Sequence, residues 1–297
     1  MSAASDHMRI SAGESDRRRD AGLCQPEDVI AYRDIVYGKD PVWQALDVYR
    51  PKDAVGKLPV IVNVHGGGWV YGDKKLYSYY CMMLAQAGFA VVNFSYRLAP
   101  EHLYPAAIED VMAAFAWVMD HAKTYGLDTD NLFATGDSAG AHLLGMYINI
   151  CTNPVYAKKF TEKDLRKACP KAVLLNCGEY TFDHVLDEED HPEAEDNNLI
   201  RDFLPGRGSR DELQEIDVLA HMTPDFPPVF AMTCCNDFLK EQTPKLVKTL
   251  ADHDVSFECR FYGDAKHPLY HVFHLSIRED AAKQCNADEI AYLKRFI

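Results

Sequence analysis

Short, unbroken apolar runs alternate with longer stretches of helical periodicity along most of this chain. Residues 59–64 (Pro-Val-Ile-Val-Asn-Val) and 89–94 (Phe-Ala-Val-Val-Asn-Phe) are too short for helices and rich in β-branched side chains. That is the pattern of central strands buried on both faces. Residues 131–135, 171–176 and 227–233 read the same way. Helical stretches at 76–87, 106–121 and 241–253, and a last one reaching Ile297, separate or follow these runs. Strands alternating with helices predict an α/β architecture, a mostly parallel sheet covered by helices on both faces. The sheet's flanks look different. Residues 34–38 and 45–50, the second stopped by Pro51, read as an antiparallel pair at one edge. Val255, Phe257, Cys259 and Phe261 alternate with polar positions, as in a half-exposed strand at the other edge.

Two segments break the rhythm. Residues 1 to about 25 are polar and rich in Ser, Asp and Arg, which predicts a mobile arm, or alternatively a lid folded over the site. Residues 178 to about 222 form an acidic piece between strands, with the run Asp187-Glu188-Glu189-Asp190 followed by Glu193, Glu195 and Asp196. Such runs are solvated surface, but Phe182, Leu199, Phe203 and Leu204 in this insertion could wall a pocket. No internal repeat is present. The organisation expected is an N-terminal arm over 1–32 and one catalytic α/β domain over 33–297, with a cap insertion at about 178–222.

Candidate chemistry concentrates where buried strands end. The strand at 131–135 runs into Gly136-Asp137-Ser138-Ala139-Gly140 and then an apolar, helix-compatible stretch. Strand, Gly-x-Ser-x-Gly and helix in that order make a nucleophile elbow, with Ser138 at the tip of a strained turn and glycines at 136 and 140 removing side-chain collisions. The strand at 59–64 ends in His65-Gly66-Gly67-Gly68-Trp69, a loop whose backbone can approach a ligand closely. The N–H groups of Gly67, Gly68 and Ala139 are candidates for an oxyanion hole, where each donor contributes about 3 kcal/mol to the transition state. Trp69 would border the acyl side of the pocket, and Asp137 is a further pocket candidate. A serine hydroxyl needs a base within hydrogen-bond reach and a carboxylate to orient that base. Asp237 follows the strand ending near Cys234, and the loop after the strand ending near Tyr262 carries His267 and His271, with His274 just beyond. Nucleophile, acid, histidine is the chain order of α/β-hydrolase triads.

Composition narrows the class. Of 297 residues, 47% are hydrophobic, enough for a large core, and the net charge of −14 repels nucleic acid and anionic membranes. The first twenty residues have no apolar centre, and no run reaches membrane-spanning length, so neither a secretory signal nor a membrane helix is expected. Nine cysteines without repeated spacing fit reduced thiols and a cytoplasmic location. The adjacent Cys234 and Cys235 read as core residues, and no zinc-type pairing of Cys and His is apparent.

These motifs resemble the hormone-sensitive-lipase-like branch of the α/β-hydrolases (fold-3 family), which holds many bacterial short-chain carboxylesterases and acetyl esterases. His65-Gly66-Gly67-Gly68-Trp69 is similar to that family's oxyanion loop, and Gly136-Asp137-Ser138-Ala139-Gly140 to its elbow. Tyr96-Arg97-Leu98-Ala99-Pro100-Glu101-His102, with Pro105 and Glu109-Asp110, resembles its second signature, which braces the site. Asp237-Phe238-Leu239 stands where the family has its acid. His271-Val272-Phe273 resembles its His-Gly-Phe, with Val for Gly, and this selects His271 over His267 as the base. The resemblance spans residue 33 to the C-terminus. It implies an α/β-hydrolase fold with a small cap formed by the N-terminal arm and the insertion. The activity implied is a serine carboxylesterase using Ser138, Asp237 and His271 on short acyl, notably acetyl, esters, without cofactor or metal. Acetylated sugars and plant-derived esters are the substrates it suggests, and an exposed last strand could pair two copies as a homodimer. An amidase or peptidase on the same fold is the alternative, and a non-catalytic ligand-binding relative a weaker one.

Overall fold

The structure is a computed structural model, and it describes residues 2–183, 185 and 199–297. Eight strands form one sheet in the order β1-β2-β4-β3-β5-β6-β7-β8. They are β1 (Val29–Val36), β2 (Ala45–Pro51), β3 (Leu58–Val64), β4 (Ala90–Phe94), β5 (Leu127–Asp137), β6 (Ala172–Asn176), β7 (Val229–Cys234) and β8 (Phe257–Tyr262). β3 through β8 run parallel, and β2 pairs antiparallel with both β1 and β4. The six main helices are α1 (Ala3–Asp20), α2 (Ser78–Gln86), α3 (Ala106–Tyr125), α4 (Ala139–Thr152), α5 (Gln242–Asp252) and α6 (Asp280–Leu293).

The uninterrupted apolar strands are buried as their composition requires: every residue of β4, β6 and β7 is buried. One face of the sheet packs on α3 and α4 through residues such as Val62, Val111, Phe115 and Leu144. The other face packs on α2 and α6 through Ile61, Leu84, Phe230 and Leu293. Parallel strands wrapped on both faces leave one open end, the carboxyl ends of β3, β5, β6, β7 and β8, where ligands of α/β sheets bind.

The edge strand β1 begins at Val29, five residues before the expected start. Most of it faces solvent, so Tyr32, Arg33 and Asp34 need no alternation to belong to it. A register shift between Tyr32 and Ile35 places Asp34 at φ +56, its N–H donating to Asp47 Oδ1 at 2.8 Å. Of the insertion, the short helices Leu199–Phe203 and Arg210–Ile216 are described; the acidic run at 187–196 lies outside the described residues. Cys234 is buried as expected of a core residue. Cys235 is only half-buried, its Sγ accepting from Leu269 N–H at 3.2 Å beneath the loop that leads to His271.

The polar N-terminal stretch is not a free arm. Ser2 caps α1 by accepting from Ser5 N–H, Asp6 lies in its first turn and Arg17, Arg18 and Arg19 in its last, all matched to the helix dipole. The attachment is also polar. Arg9 reaches the carbonyls of Val70 (2.8 Å) and Ala99 (2.9 Å) and pairs with Glu101. Tyr71 donates to Asp16 at 2.8 Å, Ser2 and Ser5 bind Asp202, and Arg278 holds the Ala21 carbonyl at 2.9 Å. A composition that looked like solvated chain is therefore a helix laid over the open end of the sheet. Among the described residues, no helix is long and apolar enough to cross a membrane.

Candidate active site

β5 delivers Ser138 to the open end of the sheet. Ser138 stands at φ 52 and ψ −124, in the left-handed half of backbone space that an L-residue occupies only when its surroundings enforce it. The surroundings do. Its N–H donates to the Asn176 carbonyl at 2.9 Å, and α4 starts at the next residue. The flanking glycines act differently from the sequence-based expectation of relief around the serine itself. A Cβ on Gly140 would lie 2.1 Å from the Val64 carbonyl oxygen of β3, and one on Gly136 would lie 2.7 Å from the Gly140 oxygen. The elbow is glycine-lined so that its helix can press against the neighbouring strand.

β3 delivers the second piece. Gly67 and Gly68 both have positive φ (117° and 56°), and the Gly67 carbonyl accepts from Tyr71 N–H at 2.9 Å to close a tight turn. His65 is buried and stacked on Tyr96 with ring centroids 4.0 Å apart; burial lowers its pKa to about 4, so it is a neutral structural ring. Tyr96, from the second signature, donates to the His65 carbonyl at 2.9 Å, and Arg97 pairs with buried Asp110 at 2.8 Å. Loop and elbow are joined by Tyr77, whose hydroxyl donates to Asp137 Oδ2 at 2.8 Å and accepts from Gly66 N–H at 2.9 Å. Burial raises the Asp137 carboxyl to about 6, while the Tyr77 hydrogen bond works the other way. Asp137 thus borders the cavity as a tie between two loops. Ala139, the first residue of α4, has an N–H without an intrahelical acceptor.

β7 and β8 deliver the expected acid and base, Asp237 and His271. His271 Nδ1 lies 2.7 Å from Asp237 Oδ1. The same carboxylate accepts from Leu239 N–H at 2.9 Å and from Thr233 Oγ1 at 2.7 Å. Burial opposes its charge, but these hydrogen bonds, that from His271 foremost, outweigh it and hold the carboxyl below its usual range. His267 lies outside this arrangement, with 82% of its side chain exposed and Asp264 as its neighbour. His274 is buried against Tyr80, and burial lowers its pKa to about 3. Cys177 Sγ, Asp237 and His271 place their donor atoms within 4.8 Å of one another, the only such set among the described residues. Both Asp237 oxygens are already engaged by hydrogen bonds, which account for the arrangement without a metal ion.

Ser138, Ala139, Gly67, Gly68 and His271 border one cavity of about 640 Å³, within the usual range for small-molecule sites. Its roof is α1, through Met8, Ala12, Ser15, Asp16 and Arg19, and Leu199 and Ile200 close one side. Of the expected insertion residues, Leu199 alone borders the cavity; Phe182, Phe203 and Leu204 are buried behind it. Trp69 also borders the cavity, yet its ring is only 3% exposed and works as a strut. Its Nε1 donates to His142 at 3.1 Å, and the indole stacks on Phe203 at 5.2 Å.

Several residues here carried no signal of their own in the sequence. Tyr77, Thr233 and the roof residues belong to no recognisable pattern. The same holds for Glu289 of α6, which is fully buried and accepts from Asn176 Nδ2 at 2.7 Å and Tyr80 at 2.9 Å. Burial raises its pKa to about 7. Through Asn176, whose carbonyl holds Ser138 N–H, it lies directly behind the elbow.

A parallel sheet with β2 reversed, a strand-turn-helix elbow and an acid and a histidine beyond the next strands define an α/β-hydrolase. The BD-FAE family profile matches residues 46–250, and the chain belongs to that family. The resemblance to hormone-sensitive-lipase-like α/β-hydrolases read from the motifs is thereby borne out. Among curated proteins, the probable carboxylic ester hydrolase LipM of Mycobacterium tuberculosis is 31% identical over 212 residues, covering 69% of this chain and 48% of LipM. Esterase LipC of the same organism is 36% identical over 132 residues, covering 44% of this chain and 32% of LipC. The chain thus spans less than half the length of these two relatives. Esterase B from Lactobacillus rhamnosis, solved as a tributyrin phosphonate-inhibited form, superposes with a TM-score of 0.86 at 25% identity, covering 99% of this chain and 94% of its own. The thermostable carboxylesterase EstE1, cloned from a metagenomic library, shares the fold with a TM-score of 0.78 at 23% identity, covering 99% of this chain and 98% of EstE1.

Proposed function

We propose that this protein is a serine carboxylesterase that cleaves short-chain acyl esters, acetyl esters among them, through an acyl-enzyme. The observation that carries the reading is the 2.7 Å contact between His271 Nδ1 and Asp237, at the wall of the cavity that Ser138 borders. With Nδ1 engaged by the carboxylate, Nε2 is the ring nitrogen left to accept the Ser138 proton. Oγ attacks the ester carbonyl, and the oxyanion is held by the N–H groups of Gly67, Gly68 and Ala139. His271 then gives its proton to the departing alkoxide oxygen as the C–O bond breaks. Water repeats the sequence on the acyl-enzyme, with His271 first taking and then returning a proton. The relatives named as ester hydrolases support the same chemistry. An acetyl group fills only a small part of about 640 Å³, so most of the room is for the alcohol.

The test is hydrolysis of nitrophenyl esters from acetate to octanoate by wild type and by the Ser138→Ala, His271→Ala and His267→Ala variants. Wild type and His267→Ala are expected to cleave the short esters, with a loss of roughly 10⁶-fold in kcat for Ser138→Ala. Turnover that survives in Ser138→Ala, or that depends on His267 instead of His271, would overturn the scheme.

A further inference from the structure

Phe238 follows the acid directly and has no part in the chemistry above. The residue is 74% exposed, although it borders the cavity, and its ring lies against the His271 imidazole with centroids 4.2 Å apart and planes inclined by 41°. The sheet order says which half of a substrate would meet it. Gly67 and Gly68 follow β3, Ser138 follows β5, and Phe238 and His271 follow β7 and β8, so oxyanion donors and base stand on opposite sides of the serine. An ester whose carbonyl oxygen sits at Gly67 and Gly68 turns its other oxygen toward His271, because that oxygen receives the proton. Whatever is esterified to it then runs along the imidazole onto Phe238. The acyl half lies away from this flank, on the side of Gly68, against which Leu199 packs.

We infer that Phe238 is the platform of an alcohol-side subsite that selects esters of flat, π-bearing alcohols such as phenols. The inference rests on the esterase reading above. An aryl group stacked or set edge-on against the exposed ring is held in its path past His271, and the same contact covers an aromatic face otherwise left to water. An alkyl alcohol of equal acidity gains less there. The preference therefore appears as a ratio between leaving groups and does not require a general gain in rate.

The experiment compares phenyl acetate with hexafluoroisopropyl acetate, two acetates of similar leaving-group acidity, in wild type, Phe238→Ala and Phe238→Tyr. The ratio of the two kcat/KM values is expected to fall about tenfold in Phe238→Ala and to be retained in Phe238→Tyr. Phenol, as a product inhibitor, should weaken in Phe238→Ala by a similar factor. An unchanged ratio overturns the inference, including the case in which both esters slow together because the ring merely steadies His271. If wild type cleaves neither acetate, the esterase reading falls first and takes this inference with it.

Discussion

At the floor of the cleft, α4 presses so close to β3 that a Cβ on Gly140 would stand 2.1 Å from the Val64 oxygen. At the roof, α1 is tied to the body by a series of polar groups, Arg9, Tyr71, Arg278 and Asp202 among them, with Ala4 and Met8 as its apolar contacts. The two surfaces enclose the same cavity by opposite means. The floor is held by steric exclusion and a dry core, where a displaced atom collides with backbone on every side. The roof is held by hydrogen bonds and ion pairs, each of small net worth and exchangeable with water. On the proposed esterase reading, the rigid floor suits the chemistry and the more exchangeable roof suits the selection of substrate.

After the loss expected for Ser138→Ala, the next largest effect tests the site beyond the nucleophile elbow. Asp237→Asn keeps the shape of the acid but favours the wrong tautomer of His271, and kcat should fall about 10⁴-fold with the fold unchanged by circular dichroism. A loss below tenfold would mean that the 2.7 Å contact does not orient the base. The roof is tested by Arg9→Ala, which removes the contacts to Val70, Ala99 and Glu101 together. A stability loss of about 1–2 kcal/mol is expected, with faster proteolysis within residues 3–20 and a KM effect exceeding that on kcat. Equal proteolysis rates in variant and wild type would show that α1 is held elsewhere. The smallest effect concerns Val272, a β-branched residue at φ 52 and ψ 31 next to His271. The left-handed conformation costs a non-glycine residue roughly 1–2 kcal/mol, partly offset in Val272→Gly by the greater chain entropy of glycine. A net gain of about 0.5–1 kcal/mol in chemical denaturation is the expectation; a loss would mean that packing of the isopropyl group holds the loop.

The same substitution shows how far a sequence can be followed. Reading His271-Val272-Phe273 against a His-Gly-Phe pattern marked a departure, but only the backbone explains it: the position lies where glycine is unstrained and valine is not. The choice between His267 and His271 is similar. Four residues apart on one loop, they are equivalent to any local rule, and the geometry separates them because one meets Asp237 while the other pairs with Asp264 in solvent. Trp69 was legible as a neighbour of the oxyanion loop, but its role as a strut depends on His142 and Phe203, which no spacing connects to it.

Sequence by itself determined the elements whose causes are local. Buried strands follow from unbroken β-branched runs, and the parallel sheet from strands alternating with helices; the elbow is legible from two glycines around a serine, although the collision that Gly140 avoids is with Val64 of the neighbouring strand. Tertiary structure alone decided what depends on partners far along the chain. Ser5 finds Asp202, Arg9 finds Glu101, and Glu289 reaches Asn176 behind Ser138. Hydrophobic periodicity and turn geometry act over a few residues and leave a pattern in their order. A hydrogen bond between residues 92 to 197 positions apart leaves no mark in either neighbourhood, because any polar side chain that water can satisfy looks the same until the fold removes the water.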